Sequence, residues 1–391
     1  MRDLVRNLGQ RVRSLFPVEG YYFDRPIVLF QSDDWGRVGI PDGDAAEALR
    51  SAGLALGENP YDFYSLEKAE DLAALRVILA RHKDASRRKP CIGMNFVVHN
   101  LNFAPMEAED FRRIHLLPLR DGLPRGWERP GLLEGYHEGI AEGVFWPALH
   151  GSTHFCRAAV EDVVKKFTQE AELLRSLWSV NTPYIYWRMP WIGYEYWNQV
   201  AHGAFLPREQ QSELIGASVG AFAKLFSILP RSACAPGYRA DANTHSLWAQ
   251  YGVAVAQNGP GTCLPPYFGD HELLHSYRNV EFEPAVDPGF SVASCVAEAE
   301  ACFERGLPAI VSMHSINLHS SLRDFRSTTL QALDQFLGAI TAKHEDLVFL
   351  SDADLYSLVQ QGFYETAQGR TRVKVTKRRF SRARPNSADT D

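Results

Sequence analysis

The stretch PIVLFQSDDWG, residues 26–36, decides the fold class of this sequence. An apolar run leads into Gln31 and Ser32, and two adjacent carboxylates, Asp33 and Asp34, follow directly. Such a run is typical of a buried strand, and in an α/β fold the carboxyl ends of the strands carry the functional groups. Two neighbouring acids at that point can divide the roles of base and metal ligand, although acids are also common where a strand simply turns into a loop.

Further strand-like runs occur along the chain, with amphipathic helical patterns between them. The other strand candidates are residues 91–99, 144–150, 253–257, 308–314 and 347–351. This alternation predicts a parallel sheet covered by helices. About seven strands over this length favour a closed or nearly closed α/β barrel over an open sheet.

The composition is that of a globular protein with one large domain. Of 391 residues, 45% are hydrophobic and 23% are charged, which allows a sizeable core. No apolar run approaches the roughly 20 residues that cross a bilayer, and the first residues lack the apolar stretch of a secretion signal. We therefore expect a cytoplasmic location. The six cysteines form no CxxC pair, which argues against a zinc ribbon and predicts buried thiols.

Both ends of the chain are basic, whereas the body is acidic. Residues 1–20 form a basic amphipathic arm, which could lie on an anionic membrane through residues 1–16 or dock on the barrel. Residues 366–391 include eight basic residues between Arg370 and Arg384, and this composition predicts a disordered tail. Its charge suits an anionic membrane and specifies no nucleic-acid partner. Residues 21–365 remain for the barrel, and nothing in the sequence indicates an oligomeric state.

An aromatic insertion at about 181–215 interrupts the alternation. Its first part, NTPYIYWRMPWIGYEYWNQVAHG, contains four Tyr and three Trp. It is either an apolar segment packed on the barrel or a lid whose rings stack on sugars. In the second interpretation the substrate-binding candidates are Arg188, Trp191, Tyr194 and Glu195.

Two histidine pairs carry the spacing of metal ligands. In ALHGSTHF, His150 and His154 follow a predicted strand and lie four residues apart. In DHELLH, His271, Glu272 and His275 match the HExxH pattern of zinc peptidases. That pattern requires a sustained helix, and the prolines and glycine just before it leave little room for one, so a peptidase is the weaker interpretation.

A further histidine, His314, ends the predicted strand PAIVSMH. Together with Asp33, Asp34 and His150, it would lie at the same ends of parallel strands, where barrels carry their sites. The constellation is better evidence than any of its members.

These motifs together resemble the polysaccharide deacetylases, the NodB-homology or carbohydrate esterase family 4 group. QSDDWG is similar to the family's T-F-D-D-G, HGSTH to its H-[ST]-x-x-H, and AIVSMH to its last strand ending in His. The resemblance covers residues 26–355 in motif order and implies a distorted (β/α)7-type barrel in a single domain. It also implies removal of N-acetyl or O-acetyl groups from a glycan, such as an intermediate of exopolysaccharide assembly.

The resemblance implies a role for each matched residue. Asp34, His150 and His154 would hold a divalent metal, with zinc first and cobalt or nickel as alternatives. Asp33 would be the base that takes a proton from the attacking water, and His314 would protonate the departing amine.

Two positions depart from the family pattern. Trp35 stands between the acids and Gly36, where it would shape the floor of the site and contact substrate. The family arginine that orients the base falls on Cys234, so that Arg239 or Arg188 would have to replace it. A barrel that binds glycan without cleaving it, or a hydrolase of another amide, therefore stays as an alternative.

Overall fold

The computed structural model describes residues 17–166, 168–200, 203–261, 263–367 and 369–381. The strands in these residues are β1 (Val18–Phe23), β2 (Ile27–Trp35), β3 (Ile92–Phe96), β4 (His99–Leu101), β5 (Leu116–Pro118), β6 (Phe145–Leu149), β7 (Trp197–Asn198), β8 (Ala204–Phe205), β9 (Ser232–Cys234), β10 (Val255–Asn258), β11 (Tyr267–Phe268), β12 (Leu274–Tyr277), β13 (Val280–Glu281), β14 (Ala309–His314), β15 (Val348–Phe349), β16 (Phe363–Thr366), β17 (Gly369–Arg372) and β18 (Val375–Phe380).

Helices connect and cover these strands. The α-helices are Gly43–Ser51, Ala69–Arg81, Phe103–Ala108, Leu132–Ala141, Arg157–Val164, Gln169–Ser179, Arg208–Phe226, Ala242–Gln250, Val292–Glu304, Arg326–Lys343 and Asp352–Gln361. Several begin at a side-chain cap: Asp42, Asp241 and Ser351 each accept from a backbone N–H of the first turn. Short 3₁₀ turns at Pro60–Phe63, Tyr186–Arg188 and Pro236–Tyr238 lie in the connecting segments.

The main sheet is a curled half-barrel of parallel strands, which confirms the predicted fold class. Its order is β13-β14-β2-β3-β6-β9-β10-β12, continued by β11, β1 and β18 in antiparallel pairing. All nine residues of β2 are buried, as expected for a central parallel strand covered on both faces. The strands predicted from the apolar runs appear as β2, β3, β6, β10, β14 and β15.

The basic C-terminal segment corrects one expectation. Residues 369–381 were predicted as disordered tail, yet β17 pairs with β16, and β18 pairs with β1 over six residues. Val373 is buried, and Lys377 and Arg378 lie over the rings of Tyr21 and Tyr22. Three of the six residues of β18, VTKRRF, are basic, which is why the charge count predicted a tail here. The remainder of the predicted tail, 382–391, lies outside the described residues.

The predicted bounds of the aromatic insertion and of the N-terminal arm also differ from the structure. The insertion ends before residue 208, because Arg208–Phe226 is a regular helix of the domain. Residues 18–20 of the predicted arm belong to β1, and residues 1–16 lie outside the described part of the chain. None of the helices in the described ranges is both long enough and apolar enough to cross a membrane.

Candidate active site

The two carboxylates of QSDDWG lie at a break in the regular strand. In a regular strand adjacent side chains point to opposite faces, but the pairing of β2 with β3 shifts register between Ser32 and Trp35. Asp34 has a φ of 73°, a left-handed conformation that is rare for residues other than glycine. The break lets Asp33 and Asp34 both line one cavity at the carboxyl end of the sheet.

Asp34 meets the two histidines of HGSTH. Its Oδ1 lies 3.6 Å from Nε2 of His150 and 3.2 Å from Nε2 of His154. All three side chains are buried, and one donor atom from each lies within 4.8 Å of the others. Burial lowers the pKa of His150, and that of His154 to about 3, so both imidazoles are neutral at pH 7 as ligands must be.

The surroundings of this triad fit a divalent ion. Oδ1 of Asp34 is buried without a hydrogen-bond partner, whereas Oδ2 accepts from Arg37 at 3.0 Å. Nδ1 of His150 lies 2.9 Å from the carbonyl oxygen of Cys234, and Nδ1 of His154 lies 3.0 Å from the hydroxyl of Tyr184. These contacts direct both Nε2 atoms towards the site, as outer partners of metal-binding histidines do. One oxygen and two nitrogens are a donor set for zinc, cobalt or nickel.

The loop between the histidines is held from behind by Glu195. Its Oε2 accepts from the backbone N–H groups of Ser152 at 2.6 Å and Thr153 at 3.2 Å. A Cβ at Gly151 would lie 2.1 Å from that oxygen, so only glycine fits there. His154 takes a φ of 67° at the end of the loop, a strained conformation of the kind that clusters at functional sites.

Asp33 is engaged on both oxygens and belongs to a different network. Arg278 donates to Oδ1 at 2.6 Å and to Oδ2 at 2.8 Å, and Asn95 donates to Oδ1 at 2.7 Å. Burial raises the pKa of this carboxyl, but the Arg278 guanidinium and the nearby histidines together outweigh burial, and the pKa falls to about 2. Asp33 is therefore ionised and fixed in orientation.

Arg278 supplies the cation that the sequence pattern leaves vacant at Cys234. It is fully buried and follows β12, two strands beyond β9, which carries Cys234. Its Nη2 lies 3.6 Å from the Cys234 sulfur. The small side chain at position 234 leaves room for an arginine that enters from another strand. The expectation that Arg239 or Arg188 fills this role is wrong.

A second possible ligand group consists of Asp33, His150 and Cys234. It fits an ion less well, because both oxygens of Asp33 already accept hydrogen bonds. Burial also raises the pKa of the Cys234 thiol well above its usual range, whereas a metal ligand must be a thiolate. The set of Asp34, His150 and His154 is the candidate metal centre.

His314 completes the site at the end of β14. Its Nε2 lies 3.9 Å from Oδ2 of Asp33, and its Nδ1 lies 2.7 Å from Oε1 of Glu283. Asn317 donates to the other oxygen of Glu283 at 2.7 Å. Burial lowers the pKa of His314, but the carboxylates of Glu283, Asp33 and Asp34 together outweigh burial and raise the pKa to about 9, with Glu283 the largest contributor. His314 is thus protonated at neutral pH and can donate a proton.

A cavity of about 410 Å³ lies over these groups. Its lining is largely aromatic: Tyr61, Tyr64, Tyr184, Tyr186, Trp187, Tyr194 and Tyr238. This size and this mixture of rings with a few charged groups are typical of a small-molecule site.

Most of the predicted substrate-binding residues do not line the cavity. Of that set, Tyr194 alone lines the cavity. Trp35 is fully buried in the core with its Nε1 donating to Ser32, and Glu195 holds the histidine loop, so neither meets a ligand. Arg188 is paired with Asp62, and Arg239 lies over the ring of Trp197.

Trp191 and the HExxH motif also lie outside the cavity. Trp191 packs against the main core in a half-buried position. His271 and Glu272 have left-handed backbone conformations, and His275 lies on β12. No helix presents these three residues on one face, so the peptidase interpretation is wrong.

Comparison with known proteins gives structural neighbours. No protein-family model matches the sequence, and no curated protein does. A family 4 carbohydrate esterase from Streptomyces lividans, solved with acetate, is 12% identical, with 83% of this chain and 91% of that chain covered and a TM-score of 0.33. A family 4 acetyl xylan esterase from Clostridium thermocellum, solved with a cobalt ion, is 8% identical, with 85% and 91% covered and a TM-score of 0.35.

A third neighbour is a family 4 pseudoenzyme from Bacillus anthracis, 9% identical, with 85% of this chain and 66% of that chain covered and a TM-score of 0.36. These neighbours belong to carbohydrate esterase family 4. They come from the family that the sequence motifs resemble. At such identities and TM-scores the likeness carries no statement about activity, and the chemistry has to rest on the side chains of this chain.

Several site residues escaped the sequence analysis. Arg278, Asn95, Glu283 and Arg37 make the contacts described above, yet none belongs to a quoted motif. Tyr184 lies in the quoted aromatic insertion without being among its binding candidates. Arg278 follows directly after LHSY, which forms β12, but this short segment with His and Ser gives little strand signal in the sequence. Arg37 follows the two acids by three residues, and its ion pair with Asp34 is local.

Proposed function

We propose that this chain is a metal-dependent hydrolase that removes an acetyl group from an N-acetylated sugar. One observation carries the proposal: a fixed, ionised carboxylate at Asp33 and a protonated imidazole at His314 flank the ligand set of Asp34, His150 and His154. A base, an acid and a metal centre within one cavity are what hydrolysis of an unactivated amide requires.

A divalent ion held by Asp34, His150 and His154 would supply Lewis acidity for the acyl carbonyl and for the attacking water. Asp33 accepts the proton of that water, and its two bonds from Arg278 keep it from turning away. His314 donates its proton to the nitrogen as the carbon–nitrogen bond breaks, and Glu283 stabilises the charge of the imidazolium. The products are acetate and a free amine.

The alternative of a barrel that binds glycan without cleaving it is now less well supported. That alternative depended on the vacancy at Cys234, and Arg278 now occupies the corresponding place beside Asp33. Zinc is the metal that we propose first, with cobalt and nickel as alternatives. The cytoplasmic location and the membrane contact of residues 1–16 stay predictions.

The test is a screen of N-acetylated hexosamines and lipid-linked sugars for acetate release, with and without chelator. Chelator-sensitive release from at least one of them is the expected result. Glycan binding without any release would instead favour the non-catalytic barrel, and release that a chelator does not affect would remove the metal from the mechanism.

A further inference from the structure

A carboxylate bridge joins the two aromatic walls of the cavity. One wall is the segment 57–64, and the other is the start of the aromatic insertion. Trp187 donates from Nε1 to Oδ1 of Asp62 at 2.9 Å. Arg188 donates from Nε to Oδ1 at 3.2 Å and from Nη2 to Oδ2 at 3.3 Å.

The carboxylate of the bridge is buried and has further hydrogen bonds. Asp62 is 2% exposed, and its Oδ2 also accepts from the backbone N–H groups of Gly57 at 2.8 Å and Glu58 at 3.2 Å. The carboxylate of Asp62 is therefore held by the backbone of its own segment as well as by the insertion. Arg188 in turn lies with its guanidinium carbon 4.2 Å from the ring centre of Trp187, which orders both donors.

Rings from both walls line the cavity beside the bridge. In one wall the rings of Tyr61 and Tyr64 are stacked with their centres 6.3 Å apart. In the other, the rings of Tyr186 and Tyr194 are stacked with their centres 4.9 Å apart. The enclosed volume of about 410 Å³ lies near the lower end of the roughly 300–1,000 Å³ that small-molecule pockets span. This volume suits one sugar ring with its acyl group.

We infer that the bridge between Asp62 and the pair Trp187 and Arg188 restricts the site to a single acylated unit, either a free monosaccharide or the terminal residue of a chain. An internal unit of a polymer has a neighbour on each side and needs a groove that is open at both ends. Because Trp187 lines the cavity and is tied to Asp62 on the facing segment, the bridge closes the cavity on that side, so that a chain cannot continue past it. This inference rests on the proposed deacetylase function and names its substrate class.

The test uses N-acetylglucosamine and its β-1,4-linked oligomers of two to six units. Acetate per chain is counted, and mass spectrometry of fragments locates the deacetylated unit. We expect one acetate per chain, always from a terminal unit, at a rate per chain that does not depend on length. A double variant, Trp187→Phe with Arg188→Met, removes the donors of the bridge and should release acetate from internal units as well.

A matched control is Arg125→Met, which breaks an exposed ion pair with Glu107 elsewhere on the surface. It should keep the one-acetate pattern. Metal content and melting temperature of each variant show whether the fold is retained. Internal deacetylation by the unmodified protein would overturn the inference and leave the proposed function standing. If the folded double variant still released acetate only from terminal units, the bridge would not be the cause of that restriction, and the inference would also be overturned. Release from none of these oligomers would overturn the inference, whereas the proposed function falls only if every sugar of the wider screen also fails.

Discussion

Asp33 and Asp34 are neighbours in the chain, yet they lie in two different regions of the site. Asp33 has both oxygens engaged by Arg278 and Asn95, in the polar interior of the barrel. Asp34 has one oxygen on Arg37 and the other free, facing two imidazoles. The hydrogen-bond partners therefore suit Asp33 to the proposed role of base and leave Asp34 suited to the proposed role of metal ligand, although both are aspartates at the end of the same strand.

The largest effect should follow from removal of a ligand on the Asp34 side. His154→Ala deletes one of three donors, so bound metal and turnover should both fall to background. The measurement is metal content by mass spectrometry together with acetate release. His275→Ala, which changes a histidine of β12 outside the ligand set, is the control and should leave the metal in place.

On the Asp33 side, Arg278→Met should lower kcat by about 10²-fold or more while the metal stays bound, because the base loses its orientation. Without the guanidinium, burial would raise the pKa of Asp33 above its present value of about 2, so the acid limb of the pH profile should move upwards. Arg278→Lys should recover part of the rate. A variant with unchanged acid limb and unchanged kcat would show that Arg278 has only a structural role.

A smaller effect concerns the proton donor beside Asp33. Activity should decline as the pH rises through about 9, where His314 loses its proton. Glu283→Gln removes the charge that raises this pKa against the effect of burial, so the alkaline limb should move to lower pH. If the limb stays where it is, another group is the acid.

The smallest effect on the site should come from the basic C-terminal segment, which contributes no residue to the lining of the cavity. Truncation after residue 368 removes β17 and β18 and leaves β1 paired only with β11, so the melting temperature should fall by several degrees. Truncation after residue 381 is the control and should change neither melting temperature nor activity. Equal melting temperatures for the two forms would support the disordered tail predicted from the charge.

Local patterns in the sequence predicted much of the fold. The apolar runs around β2, β6 and β14 mark buried strands, and strand ends bring Asp33, Asp34, His150 and His314 together. Such inferences need only the rule that parallel strands end on the same side.

Long-range packing decided the rest. Arg278 reaches Asp33 across 245 positions of sequence, and no local pattern shows that a cysteine at position 234 leaves room for it. Glu195 and Arg188 looked like ligands for sugar hydroxyls, because a charged residue among aromatics suits a binding site. Their partners, the histidine loop and Asp62, lie 42 and 126 positions away and become visible only in the fold.

The most direct test of the division between the two carboxylates is a parallel measurement of metal content and acetate release in Asp33→Asn and Asp34→Asn. The account predicts that Asp33→Asn keeps close to one ion per chain and loses turnover, since an amide cannot accept the proton of water. It predicts that Asp34→Asn loses both the ion and the turnover. An Asp33→Asn protein that loses its ion, or that still releases acetate, would contradict the account.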